Sequence, residues 1–163
     1  MIGNIGYELR LQALELKARS IGSGAPSPET SWTPFFFGDG GTAGTFTYAS
    51  QVGRYTRMGQ LCFIHGVVAI SAITVAPTGT MYIAGIPFDA AATINSGVAF
   101  TYISNFNYAA GALQLTGAIV ASGNTIKLFE SFDNAIAVAV PAANFTNASC
   151  NIQFFGMYQV SGS

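Results

Sequence analysis

From Trp32 to the end of the chain no segment holds an apolar period near 3.6 residues. Short runs rich in Val, Ile, Thr, Phe and Tyr recur instead between clusters of Gly, Pro, Asn and Ser. The runs fall at 32–37, 45–50, 53–57, 61–72, 81–84, 98–104, 112–121, 125–129 and 151–160, with turn signals such as Pro77-Thr78-Gly79 and Ser122-Gly123-Asn124 between them. About nine strands so spaced predict a mainly β chain, an antiparallel sandwich of jelly-roll type over residues 32–163. Alternation is clean in Thr45-Phe46-Thr47-Tyr48, which puts Phe46 and Tyr48 on one face. The run 61–72 is apolar on both faces, so it belongs in the middle of a sandwich or between subunits. Residues 134–149 read as a loop with one short strand near 136–140.

The first 22 residues follow another rule. No β-branched residue lies between Gly6 and Ser20, and Gly22 supplies a C-terminal stop, so a helix is expected over 1–22. Tyr7, Leu11, Leu14, Ala18 and Ile21 follow the 4-3-4-3 spacing of a coiled-coil seam, and Ile2, Ile5, Leu9 and Leu16 form a second apolar line beside it. A helix this short is marginal alone, so it is expected to trimerise or to dock on other proteins, with packing on its own domain as the alternative. Residues 23–31, with Gly24, Pro26 and Pro28, are expected to be a linker that holds the helix away from the β domain.

Composition sharpens the expectation of assembly. Of 163 residues 50% are hydrophobic and 8% charged, against about 25% charged in an ordinary soluble domain. So little charge suits a surface largely covered by other chains. Net charge of −1 with no basic cluster argues against a nucleic-acid partner. No apolar run has the roughly 18 residues that a membrane helix requires, so no membrane insertion is expected. The amino terminus does not read as a signal peptide, which implies synthesis in a cytoplasm. Cys62 and Cys150 each lie in an apolar run and read as buried free thiols rather than a disulfide.

Chemical constellations are sparse. His65 is the sole histidine and has no local partner for a triad, so it reads as a core or interface residue. Cys62 and His65 lie three apart, on opposite faces of a regular strand, and do not make half a metal site. Glu130 and Asp133, with Asp39 and Asp89, are the carboxylates a glycosidase would have to draw on, and they sit beside turn residues. Gly38, Gly40, Gly41 and Gly44 precede no helix and are turn glycines. No catalytic residue, cofactor or metal is expected.

The ordered set Ser31-Trp32-Thr33-Pro34, Gly38-Asp39-Gly40-Gly41, Thr45-Phe46-Thr47-Tyr48 and Gly53-Arg54-Tyr55-Thr56-Arg57-Met58-Gly59 resembles the opening of the terminal β domain of bacteriophage tail-fibre and related virion-surface proteins. Pro77-Thr78-Gly79 and Gly85-Ile86-Pro87 are similar to turns of that family. The resemblance implies a homotrimer on the virion surface, a helical or fibrous stalk, a β head that contacts the host surface, and structural roles for Arg54 and Arg57. The chain is short beside a typical fibre and lacks a long shaft, so a compact capsid decoration protein is the alternative, its helix docked on other virion proteins. A polysaccharide-cleaving spike is a further alternative. If the role is host recognition, Tyr102, Phe106, Tyr108 and Phe145 are the candidate contacts to a surface glycan, because sugar rings stack on aromatic faces carried by loops. The competing reading makes these rings core or interface residues.

Overall fold

The computed structural model describes Gln12 and residues 26–93, 95–146 and 149–162. The expected helix over 1–22, with Tyr7, Leu11, Leu14, Ala18, Ile21, Ile5, Leu9 and Leu16, lies outside the described residues apart from Gln12.

Ten strands follow in chain order: β1 (Thr30–Trp32), β2 (Phe35–Gly38), β3 (Thr45–Met58), β4 (Leu61–Val75), β5 (Met81–Ala84), β6 (Ser96–Ser104), β7 (Ala112–Ile119), β8 (Thr125–Phe132), β9 (Val138–Ala139) and β10 (Asn151–Gln159). All pairings between them are antiparallel. They form one sheet in the order β1-β3-β4-β10-β6-β7-β8-β5-β2, with β9 added beside β8. The expected jelly-roll sandwich of separate sheets is therefore corrected to a single continuous sheet.

Topology requires that sheet to curl. β1 and β2 occupy its opposite ends, yet only Thr33 and Pro34 separate them in sequence. The two edges must meet there. Pro34 is fully buried at the junction, a place where its missing N–H breaks no ladder. The seam is closed by side chains: Gln51 Nε2 donates to the Pro34 carbonyl at 3.0 Å, and the Phe36 N–H donates to Tyr48 Oη at 2.9 Å. The run expected at 32–37 is thus two strands that belong to two edges.

Extra residues in the ladder supply the bend. Along the β3–β4 ladder the shifts after Thr45 and after Thr47 leave Thr74 and Ser71 of β4 unpaired, and the shift between Tyr48 and Ser50 leaves Ala49 of β3 unpaired. An odd residue reverses the alternation. Phe46 and Tyr48 before it and Tyr55 after it therefore all pack against the core, and β3 runs unbroken where the sequence suggested two strands. The core inside the curl includes Ile64, Val68, Ile83, Ile126, Leu128, Ile152 and Tyr158, all buried. Residues 26–31 do not stand clear as a spacer: Pro26 bridges Met58, the Ser27 N–H donates to the Arg57 carbonyl at 2.7 Å, and β1 pairs with β3.

Candidate functional site

The loop 105–111, between β6 and β7, carries two of the four candidate contact aromatics. Phe106 meets Tyr108 edge-on at 4.9 Å between ring centroids and Phe145 at 5.5 Å. Phe145 follows a single 3-10 turn at Ala142–Asn144, is 5% exposed, and packs on Phe36 at 4.9 Å. It belongs to the core rather than to a contact surface. Tyr108 is the outward member of the cluster at 39% exposure, with Phe106 as its half-buried support.

Beneath this corner lies Glu130 of β8, a carboxylate only 1% exposed. Its Oε1 accepts from the Ala109 N–H at 2.9 Å and from Asn144 Nδ2 at 3.2 Å, and its Oε2 accepts from the same amide at 3.2 Å. A buried carboxylate is tolerable only when such donors replace its water. Glu130 thereby ties the Tyr108 loop and the 3-10 turn to the sheet. Burial, with smaller contributions from Cys150 and Glu130, raises the Tyr108 pKa above its ordinary value, so the phenol stays a neutral hydrogen-bond donor at physiological pH.

Tyr102 lies elsewhere. In β6 the residue Thr101 is extra: Phe154 faces Phe100, but the next residue, Gln153, faces Tyr102. That bulge turns Tyr102 from the core side, where Val98 and Phe100 sit, to the outer face. There it joins a surface that the candidate list missed. Ladder pairs Val52 with Val67, Val67 with Gln153, Gln153 with Tyr102, His65 with Phe155 and Phe63 with Met157 across β3, β4, β10 and β6. Val52, Phe63, Tyr102, Phe155 and Met157 are all exposed on it. The signal for this face was the double-sided apolar run 61–72, of which only one face turns to the core.

The remaining polar groups are scattered. His65 stands on the outer face, with Nε2 3.7 Å from Glu29 Oε1 and both side chains more than half exposed. Cys62 is buried on the other face of β4. Cys62 and Cys150 are both free; burial raises the Cys62 pKa and pushes that of Cys150 up to about 12. Asp39 accepts from the Thr80 N–H at 2.7 Å and from the Tyr82 hydroxyl at 3.1 Å. Chiefly through the Thr80 bond its carboxyl is held below the usual range. Arg57 packs its guanidinium 4.9 Å from the Phe88 ring centroid and donates from Nε to the Gly59 carbonyl at 2.8 Å.

Fold and surface together define a class, a β domain made of one antiparallel sheet curled onto an aromatic-rich core, with an apolar outer face. No protein-family model matches the chain, and no curated protein matches it in sequence. Among solved structures it is similar to the crystal structure of the Dettilon tailspike protein, with a TM-score of 0.66 and 15% sequence identity over 81% of this chain. The chain spans 23% of the length of that tailspike. At this identity the likeness shows a shared fold.

Proposed function

We propose that this chain is a structural component of a bacteriophage particle, the β head of a homotrimeric tail spike or fibre exposed on the virion and contacting the host surface. The observation that carries the reading is the fold shared with part of a tailspike, which the shortage of charged residues reinforces. Residues 1–22 attach the head to its neighbours or to other virion proteins. Host contact is made by the Tyr108 corner, where an exposed ring on a pinned loop offers a face for a glycan ring to stack on.

The role is non-catalytic. Both oxygens of Glu130 are occupied by donors of the fold, and its burial leaves no room for a sugar beside it. Paired carboxylates flanking a cleft, which glycoside hydrolysis requires, are not formed by Glu130 and the exposed Asp133.

Counting copies per particle by quantitative mass spectrometry tests the location. A tail spike or fibre is present in tens of copies, in multiples of three, and purified protein then competes with phage for adsorption to host cells. Hundreds of copies per particle with no competition would instead assign the chain to capsid decoration. Release of reducing sugar from host polysaccharide would overturn the non-catalytic reading.

A further inference from the structure

We propose that the outer face of β3, β4, β10 and β6 is the surface through which one copy of this chain packs against a second copy. The inference rests on the homotrimeric reading above and adds to it the location of the interface.

The face is continuous. Val52, Val67, Phe63, Met157, Phe155 and Tyr102 occupy outward positions on four adjacent strands joined by ladder pairs, with no turn or loop between them. Strand spacings of about 4.8 Å and rises of about 3.3 Å per residue make it roughly 15 Å by 20 Å, on the order of 300 Å² in projection and more with side-chain relief. That is the size of the largest apolar patch on a typical soluble monomer, a patch that is often functional. A shallow groove of about 430 Å³ runs along it, lined by residues that include Val52, Val67, Gln153 and Phe155.

Its charges favour a copy of itself over another partner. Arg54 is exposed beside His65, and its side chain makes no ion pair among the described residues. Glu29 stands at the same rim, more than half exposed, and among the described residues its ion pair is the long 3.7 Å approach to His65. Among the described residues the face thus carries one unpaired cation and one weakly held anion, which the anion and cation of neighbouring copies can meet. A strongly acidic or basic partner would leave one of them opposed.

Chain entry points the same way. Pro26 bridges Met58, at the end of β3 and the rim of this face. Residues 1–25, with their 4-3-4-3 apolar spacing, therefore join the head where self-association would bring neighbouring faces together.

The test uses the full chain carrying Phe155→Cys, with Leu113→Cys as control. Phe155 is 54% and Leu113 69% exposed in one copy, while the native thiols of Cys62 and Cys150 are buried. Light scattering is expected to give a trimeric mass. The Phe155→Cys thiol is then expected to alkylate at least tenfold more slowly than that of Leu113→Cys, and a short bis-maleimide to join it to a neighbouring copy. A trimer in which both thiols alkylate alike, or in which Phe155→Cys is slow but yields no covalent dimer, would overturn this face while leaving the trimer standing. A monomeric mass at all concentrations would overturn both.

Discussion

The indole of Trp32 lies over Gly53, its ladder partner across β1 and β3, so closely that a Cβ on Gly53 would clash with the Cε2, Nε1 and Cδ2 atoms of the ring. Trp32 Nε1 donates to the Arg54 carbonyl at 3.2 Å, and the ring meets Phe154 edge-on at 6.0 Å. Directly opposite Gly53 on β4 is Gly66, whose own Cβ would strike the Val52 carbonyl. Gly53 makes the recess that lets an edge-strand tryptophan reach the core, and Gly66 leaves room for the Phe154 ring that the indole meets.

Gly53→Ala is therefore expected to destabilise the protein by about 1–3 kcal/mol, the range for forcing a methyl group into a filled site. Urea unfolding should show a lower midpoint at unchanged slope. In a Trp32→Ala background, itself destabilised by about 3–5 kcal/mol, the same Gly53→Ala change should cost much less. Additive effects in that cycle would mean the indole does not depend on the recess.

Glu130 gives a second test, of how the Tyr108 corner is held. Glu130→Leu keeps the volume close but leaves the Ala109 N–H and the Asn144 amide without their acceptor. About 1–3 kcal/mol of destabilisation is expected for the stranded buried donors. Hydrogen exchange should quicken at Ala109 before it does in β4 or β10. Glu130→Gln preserves one acceptor but opposes two amide groups at Asn144, and should fall between Leu and wild type.

Alkaline stability follows from Cys150. Burial raises its pKa from the ordinary value of 9.0 to about 12 in the folded chain. The stabilising difference is fully present below the unfolded value and is lost as pH rises toward the folded one, because in that window the folded state holds a proton the unfolded state has released. Between about pH 9 and pH 12 the unfolding free energy should fall by roughly 1.4 kcal/mol per pH unit from this group. Cys150→Ala should flatten that share of the slope at some cost in overall stability. Iodoacetamide at pH 8 should leave both thiols intact until denaturant is added.

Strand existence was legible because turn residues punctuate the chain, and β4 to β8 and β10 fall where the runs predict them. Closure was not. Pro34 reads as an interruption within one strand, and nothing local says that the strand before it and the strand after it join opposite edges of a sheet. Bulges hid the faces for the same reason: Tyr102 is turned outward by a single unpaired residue, Thr101, which no alternation rule can locate. Of the candidate aromatics, Phe106, Tyr108 and Phe145 do come together, although they are distant in sequence and Phe145 arrives through the 3-10 turn after β9. The run 61–72 announced its second apolar face, and the structure supplies the neighbours from β3, β10 and β6 that extend it into a surface.

Tyr108 and Phe145 separate contact from core within that one cluster. Phe145→Ala removes a buried ring that packs on Phe36 and Phe106, and is expected to cost about 3–5 kcal/mol with a lowered denaturation midpoint. Tyr108→Ala removes a ring that is 39% exposed and should cost about 1 kcal/mol or less. If the corner contacts the host, Tyr108→Ala should nevertheless reduce binding of the purified protein to host cells at least tenfold, which corresponds to about 1.4 kcal/mol of contact energy. Tyr108→Phe should restore most of that loss when stacking is the contact and little of it when the phenol donates to the ligand. Unchanged binding by Tyr108→Ala, measured at full folding, would remove the corner from host recognition and leave its rings as packing alone.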